Sequence, residues 1–320
     1  MYTPTLILVG LLSNVALANP IRLGQVSRRD NTPDVSAAAS APEITALLQG
    51  NQRFRTKTDP NLLSNLAKNG QKPDFLFIGC SDSRVSEGTI FDAQPGTLFG
   101  ERNIANQFSS GDPNANSILS YAVTELGVKH VLVVGHTGCG GVAASIASPP
   151  TPPLDAAGQS IQTWINPIRE LYHTSNRTEI VALRNANAGH SHVDAPGIDD
   201  PGFRALIEEN VKKSVNSIAS GTIITDHWKA YTSGHHRRAE AGPLVPVFIH
   251  GWVYDIAKGT IKDLKVSQGP PGVPVPSALE AVAAAIGVEV DVLEPEAAEP
   301  APEPAPEPEV AEPAFEETYY

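Results

Sequence analysis

The sequence predicts an α/β fold, in which helices flank a central, mostly parallel β-sheet. Apolar runs of strand character alternate along the chain with segments whose apolar residues recur at helical spacing. Two of these runs, near residues 74–79 and 129–135, end at a glycine that is followed by a cysteine or a histidine. Because α/β proteins bind ligands where parallel strands end, we expect a functional site at that edge of the sheet.

The N-terminal part of the folded region is predicted to be helical. Residues 42–57 place Ile44, Leu47 and Leu48 at a spacing typical of a helix. A second, shorter helix is expected over residues 61–69. Together the two segments predict a helical arm that precedes the sheet.

The remaining elements follow in alternation. Strands are expected at residues 74–79, 97–101, 129–135 and 245–250, with a pair of short strands flanking the Lys258-Gly259 turn. A helix is expected to end over residues 119–126, and further helices are expected over residues 141–147, 161–172 and 203–218. Gly127 should end the first of these four helices. Residues 185–201 are predicted to be a loop, and residues 225–243 a polar insertion.

Composition divides the chain into four segments. We predict a signal peptide over residues 1–18 and a flexible stretch over 19–41. The folded domain is predicted at 42–265, and residues 266–320 are an expected disordered tail rich in Pro, Glu and Ala. The tail has no Lys or Arg and carries twelve acids, which account for the net charge of −12. The balanced remainder does not indicate a nucleic-acid-binding face.

The first residues predict secretion. Residues 6–18 are mostly apolar, too short to span a bilayer, and end in the small-residue pattern Ala-Leu-Ala. A mitochondrial presequence is the alternative, because several arginines follow in a stretch that is poor in acids. The sequon Asn176-Arg177-Thr178 agrees with a secreted glycoprotein. No other segment is apolar for long enough to cross a membrane.

The two strand-end motifs carry residues suited to a metal ion. Cys80, Asp82 and Arg84 alternate after the first run, so an extended segment would point all three into one pocket. His136 and Cys139 are three residues apart, and a tight turn would bring both onto one ion. Two thiolates and an imidazole form a known catalytic zinc set that leaves the fourth position open. The sequence therefore predicts one Zn²⁺ per chain.

Simpler readings of the same residues exist. The two cysteines, the only ones in the chain, could form a disulfide. Asp82 and Arg84 could be an ordinary ion pair, and His136 a satisfied histidine at a strand end. These readings explain each residue separately, but they do not explain why the residues cluster in two paired motifs.

The paired motifs resemble those of the β-class carbonic anhydrases. The resemblance rests on Cys80-Ser-Asp82-Ser-Arg84 and on Gly135-His136-Thr-Gly-Cys139-Gly-Gly. It extends over roughly residues 40–265 and includes Gln71, Gln94-Pro95-Gly96, Arg102 to Asn106, Tyr121-Ala122-Val123 and His250 to Asp255.

The resemblance implies a function for each matched residue. Zinc would be held by Cys80, His136 and Cys139, and zinc-bound hydroxide would attack carbon dioxide to give bicarbonate and a proton. Asp82 and Arg84 would form the catalytic dyad, with Asp82 a possible fourth zinc ligand in a closed state. The resemblance also gives Gln71 the role of a substrate donor and assigns the pocket wall to Phe99, Ile104 and Tyr121.

Two further implications concern assembly and regulation. In the resembled family the N-terminal arm lies across a partner subunit, which implies a homodimer or a dimer of dimers. The regulated members carry a tryptophan three residues before the first cysteine, where this chain has Phe77. This departure argues against the same bicarbonate lock.

Other functions remain open at the level of sequence. A hydrolase of carbonyl sulfide or carbon disulfide would use the same ligands, and a secreted, zinc-stabilised scaffold protein would need no catalysis. A nucleotide-binding loop is disfavoured, because the glycines after His136 lack the required spacing. A cysteine phosphatase is disfavoured because Arg84 follows Cys80 by four residues and that class needs six.

Overall fold

The computed structural model describes residues 41–234 and 244–276. The predicted signal peptide, nearly all of the flexible stretch, residues 235–243 of the insertion and residues 277–320 of the acidic tail lie outside the described residues. The chain forms two compact units that divide between Leu62 and Leu63.

The N-terminal unit contains helix α1 (Pro42–Lys57) and the beginning of α2 (Pro60–Asn69). Both predicted helices of the arm are confirmed. α1 buries none of its residues, and its large apolar side chains are exposed, namely Ile44, Leu47, Leu48 and Phe54. Such a face is unusual for a helix that is not packed against a partner.

The second unit contains a five-stranded sheet in the order β2-β1-β3-β4-β5. The strands are β1 (Phe75–Cys80), β2 (Leu98–Asn103), β3 (His130–His136), β4 (Phe248–Asp255) and β5 (Thr260–Asp263). The first four strands are parallel, and β5 pairs antiparallel with β4. β1 and β3 consist almost wholly of buried residues, as expected for central strands of a parallel sheet. The predicted α/β class with a mostly parallel sheet is confirmed.

The remaining helices in the described part of the chain connect these strands. They are α3 (Glu87–Ile90), α4 (Pro113–Tyr121), α5 (Gly140–Ile146), α6 (Ala156–Thr174), α7 (Thr178–Asn187), α8 (Pro201–Ser220) and α9 (Thr222–Thr232). A 3₁₀ turn spans Ile104–Asn106, and a π-helical turn at Ala122–Leu126 continues α4. Gly127 ends that turn in the left-handed conformation, as predicted.

Three predicted boundaries were wrong. α7 occupies the first residues of the predicted loop 185–201, and α9 occupies the first residues of the predicted insertion 225–243. A separate short strand was expected before the Lys258-Gly259 turn, but β4 continues to Asp255 and occupies that place. The strand after the turn, β5, pairs with this end of β4. α9 is fixed by tertiary contacts, because His227 Nε2 hydrogen-bonds with the Val245 carbonyl and Trp228 Nε1 donates to that of Val247, each at 2.8 Å.

The main core lies between one face of the sheet and α8. α8 begins at Pro201, is capped by Asp200, whose carboxylate accepts from the Phe203 amide, and buries a continuous apolar stripe. The opposite sheet face carries a smaller aromatic cluster around Phe77, Leu132 and Val134. None of the helices within residues 41–234 and 244–276 has the length and apolar character needed to cross a membrane.

A histidine pair lies on the face with the smaller cluster. His250 is 4% exposed, its Nε2 lies 3.0 Å from Nδ1 of His130, and its Nδ1 lies 3.0 Å from the Ser267 hydroxyl. Burial lowers the pKa of His250 to about 4. Because the unfolded chain takes up this proton near pH 6.5 and the folded chain does not, folding stability should fall as the pH drops from 6.5 towards 4.

We expect this histidine to contribute about 3 kcal/mol to the loss of stability over that pH range. Urea unfolding at pH 7 and pH 4.5 should show a smaller pH-dependent loss for His250→Gln than for the wild type. His192→Gln is the matched control, because its side chain is 71% exposed. Equal pH dependence of His250→Gln and the wild type would show that His250 is not the responsible group.

Candidate metal centre

The two strand-end motifs meet at one edge of the sheet. β1 and β3 are neighbours, so Cys80 at the end of β1 lies beside His136 at the end of β3. Cys139 precedes α5 as its N-cap residue. All three side chains are buried, and their ligand atoms lie within 4.8 Å of one another. Within the described residues, this is the one group of three or more His, Cys, Asp or Glu side chains with such spacing.

The sulfur atoms are placed for a shared ion and are not bonded to each other. The Sγ atoms of Cys80 and Cys139 are 3.9 Å apart, about twice the length of a disulfide bond. The hydrogen bond between the thiols lowers the pKa of Cys80, and the same contact, together with burial, raises the pKa of Cys139. Without a cation, the pair therefore favours one thiolate and one thiol. A cation between them would stabilise both thiolates.

His136 presents a free nitrogen to the same space. Its Nδ1 lies 3.0 Å from the Thr137 carbonyl, which can only accept a hydrogen bond, so Nδ1 carries the proton. In the neutral imidazole the other nitrogen, Nε2, then keeps its lone pair, and it has no hydrogen-bond partner although the side chain is only 1% exposed. A buried nitrogen without a partner beside two sulfur atoms fits a metal ligand, and this donor set suits zinc.

Asp82 and Arg84 form a bidentate pair at the mouth of the cluster. Arg84 Nε donates to Oδ1 of Asp82 at 2.9 Å, and the terminal nitrogen donates to Oδ2 at 2.6 Å. These hydrogen bonds lower the pKa of Asp82 to about 2, so the carboxylate is ionised at neutral pH. Asp82 Oδ2 lies 3.8 Å from His136 Nε2, and Arg84 also donates to the Gly138 carbonyl at 3.1 Å.

The expected extended conformation of residues 80–84 was wrong. The strand ends at Cys80, and the Asp82 carboxylate accepts from the Arg84 amide at 2.9 Å, which makes a turn. The turn still brings Asp82 towards Cys80 and His136, although by a different route from the predicted alternation. Arg84 stays at the rim, where its side chain is 52% exposed.

Arg102 holds this turn from the neighbouring strand. Its Nε donates to the Cys80 carbonyl at 3.0 Å, and its terminal nitrogen donates to the Asp82 carbonyl at 2.7 Å. Sequence reasoning gave Arg102 no role of its own beyond the family motif. The side chain fixes the backbone between Cys80, a candidate ligand, and Asp82, the candidate catalytic carboxylate.

The predicted pocket residues occupy different surroundings. Phe99 and Tyr121 stack with ring centroids 5.9 Å apart, and Tyr121 and Ile104 are exposed in the single chain. The side chain of Ile104 lies against Gly141, two residues after Cys139. Gln71 is exposed in the connection between α2 and β1. The roles of these four residues stay predictions.

Gly141 is required by the close approach of the Ile104–Asn106 turn. A Cβ at this position would lie 2.6 Å from Cγ2 of Ile104 and 3.2 Å from Cβ of Ala105. We expect Gly141→Ala to lower the carbon dioxide hydration that the sequence predicts by about tenfold to a hundredfold, because the turn beside the ligands must move. The measurement is a steady-state assay with circular dichroism to verify the fold.

Gly140→Ala is the matched control for this change. Gly140 is the adjacent glycine, and a Cβ there would meet nothing within 4 Å. Its turnover should match that of the wild type. If Gly140→Ala and Gly141→Ala behaved alike, the packing against Ile104 would not be the cause.

Comparison with known proteins identifies the family. A family model described as carbonic anhydrase matches residues 75–261. The chain is 33% identical over 209 residues to a carbonic anhydrase of Emericella nidulans, across 65% of this chain and 76% of that protein.

Solved structures agree with this match. A structure of the β-carbonic anhydrase CafA of Aspergillus fumigatus has a TM-score of 0.53 and 29% identity, and covers 76% of this chain and 98% of that one. A structure from a study of two tetrameric β-carbonic anhydrases of Sordaria macrospora has a TM-score of 0.55 and 26% identity. The match covers 71% of this chain and 100% of that one. The chain belongs to the carbonic anhydrase family and is a fungal-type enzyme of the β class.

Proposed function

We propose that this enzyme reversibly hydrates carbon dioxide to bicarbonate and a proton at a zinc ion held by Cys80, His136 and Cys139. The buried cluster of three ligand atoms within 4.8 Å carries the proposal. The unpartnered Nε2 of His136 supports it. When bound, zinc would supply a Lewis acid that lowers the pKa of a coordinated water to about 7.

Asp82 is the proposed hydrogen-bond acceptor that orients the attacking water. Its carboxylate is ionised, lies beside the ligand cluster, and would accept a hydrogen bond from the attacking water, turning a lone pair of the water towards carbon dioxide. Arg84 holds both carboxylate oxygens and fixes this orientation. The 3.8 Å between Oδ2 and His136 Nε2 also supports Asp82 as the fourth ligand of a closed state.

The remaining assigned residues would bind and confine the substrate. Phe99, Ile104 and Tyr121 are proposed to form an apolar wall, which would suit a small molecule without charge. Gln71 is the proposed hydrogen-bond donor to the substrate. Gln71→Ala should then weaken turnover while zinc content stays the same, and unchanged turnover would remove Gln71 from the site.

A stopped-flow assay with a pH indicator tests the proposed reaction. The purified enzyme should accelerate carbon dioxide hydration, a chelator should abolish the acceleration, and added zinc should restore it. Parallel assays with carbonyl sulfide and carbon disulfide separate hydration from hydrolysis on the same site. Bound zinc without activity towards any of the three substrates would contradict the proposal and favour a scaffold role.

We further propose a homodimer or a dimer of dimers. The exposed apolar residues of α1 favour a partner subunit, and the matched Sordaria structure comes from tetrameric enzymes. Analytical ultracentrifugation of the full chain should give at least a dimer, and Leu47→Asp with Leu48→Asp should weaken it. A wild-type monomer at micromolar concentration would contradict the proposed assembly.

Secretion is also proposed, from the N-terminal sequence alone. Asn176 would then be available for a glycan, because it is exposed in the short connection between α6 and α7. Mass spectrometry of protein from the culture medium should find a new N-terminus after Ala18 and a glycosidase-sensitive Asn176. Protein recovered from mitochondria instead would support the alternative location.

A further inference from the structure

The Ile104–Asn106 turn has an unusual backbone beside the metal centre. Ala105 has φ 62° and ψ 30°, and Asn106 has φ 46°, so two consecutive residues other than glycine are left-handed. This conformation is unfavourable for residues with a Cβ, and it persists only where the surroundings hold it. Such strain is often found at functional sites.

Three side chains from neighbouring helices hold the turn. Each donates a hydrogen bond to a different one of its three backbone carbonyls. Trp164 Nε1 of α6 donates to the Ile104 carbonyl at 2.8 Å. Asn210 Nδ2 of α8 donates to the Ala105 carbonyl at 2.8 Å. Ser214 Oγ, one helical turn further along α8, donates to the Asn106 carbonyl at 3.3 Å and accepts from the Phe108 amide at 3.2 Å.

In this conformation the turn points the backbone amide of Ala105 at Cys80, the first candidate ligand. The Ala105 N–H donates to Cys80 Sγ at 3.4 Å. An N–H aimed at a thiolate stabilises its negative charge, so the sulfur stays deprotonated and in place to bind a metal. Asn210 is 2% exposed and Ser214 is equally buried, so both polar side chains are committed to this contact and not to solvent.

We propose that Asn210, Ser214 and Trp164 are positioning residues of the metal centre, which hold the Ala105 N–H on the Cys80 thiolate through the Ile104–Asn106 turn. The side-chain hydrogen bonds of all three go to backbone groups of residues 104–108, so each acts on the ligands through the backbone. The inference rests on the proposed zinc site and adds to it a layer of α6 and α8 residues that tune one ligand. Loss of any of the three should loosen the turn and weaken the N–H···S contact.

Zinc affinity and the spectrum of the cobalt-substituted protein test this role. Asn210→Leu, Ser214→Ala and Trp164→Phe each remove one donor. Val215→Ala is the control, because Val215 is a fully buried neighbour on α8 that contacts Gly251. It should destabilise the fold without changing the turn. The zinc dissociation constant is measured by competition with a chromophoric chelator, and the thiolate-to-cobalt charge-transfer band by absorption.

We expect the zinc dissociation constant to rise about tenfold to a hundredfold in Asn210→Leu, with smaller rises in the other two variants. The charge-transfer band should shift in all three and stay in place in Val215→Ala. If Asn210→Leu does not fold, Trp164→Phe tests the positioning role instead. Trp164 is only partly buried, so this variant is expected to fold.

Two results would overturn the positioning role while leaving the zinc site intact. One is that every folded variant has the zinc dissociation constant and the thiolate-to-cobalt charge-transfer band of the wild type. The other is an equal loss of affinity in Val215→Ala, which would indicate general destabilisation. A wild-type protein that binds neither zinc nor cobalt would instead overturn the proposed zinc chemistry itself, together with this inference.

Discussion

Cys139→Ser is expected to lose its zinc and, with it, carbon dioxide hydration. Cys139 is 1% exposed and lies at the N-cap of α5, with its Sγ within 4.8 Å of the other two ligand atoms. A serine hydroxyl is neutral at pH 7 and binds zinc poorly beside one thiolate and one imidazole. Because losing an outer hydrogen-bond partner alone costs about 10–100-fold in metal affinity, losing a ligand should cost more.

The measurement is zinc per chain by elemental analysis, paired with stopped-flow hydration on the same sample. Cys80→Ser should behave in the same way. Ser145→Ala is a suitable control, because Ser145 is fully buried on the same helix and its hydroxyl donates only to the Val142 carbonyl. Full zinc occupancy in Cys139→Ser would rule out Cys139 as a ligand.

Asp82→Asn is expected to keep zinc and lose most turnover. The side chains have nearly the same shape, but an amide carries no charge and its nitrogen donates where a carboxylate oxygen accepts. The variant loses the proposed hydrogen-bond acceptor for the attacking water and one side of the pair with Arg84. Because misplacing a reacting group can cost about 10²-fold, kcat should fall by at least that factor.

The pH profile gives this prediction a second readout. Because the pKa of Asp82 is about 2, its carboxylate remains ionised between pH 5 and pH 9, and its titration should not shape the wild-type profile over that range. Asp74→Asn is the matched control, since Asp74 also pairs with a basic residue, Lys129 at 2.7 Å, but precedes β1 at the opposite end of the strand. Wild-type turnover in Asp82→Asn would contradict the proposed mechanism.

The ligands could be predicted from sequence because their positions follow from local rules. Cys80 and His136 each end a recognisable apolar strand, and neighbouring parallel strands bring such ends to one edge. Cys139 follows His136 by three residues, so a tight turn suffices to add it. The α/β class followed from the same alternation of strands and helices.

The residues that hold the Ile104–Asn106 turn beside the ligands could not be predicted from local sequence patterns. Asn210 reaches Ala105 from 105 positions away, and Trp164 reaches Ile104 from 60 positions away, through helix packing that no local pattern encodes. Asn210 would be read as an ordinary polar residue of an amphipathic helix. Only the buried contact with a left-handed turn reveals its partner.

The missed and altered elements have similar physical causes. α9 is held by hydrogen bonds from His227 and Trp228 to the chain entering β4, which lies many residues later. The turn after Cys80 replaces an extended segment because the Asp82 carboxylate bonds to a backbone amide two residues on. In both places a specific hydrogen bond overrides the average preference of the segment.

Zinc titration of the metal-free enzyme tests whether carbon dioxide hydration depends on one zinc ion held by Cys80, His136 and Cys139. Apo protein would be prepared with a chelator, and hydration would be measured as zinc is added in small equivalents. We predict that the rate rises linearly and stops rising at one zinc per chain, in keeping with the single three-ligand cluster in the described residues. A hydration rate that is independent of added zinc, or chains that bind none, would contradict it.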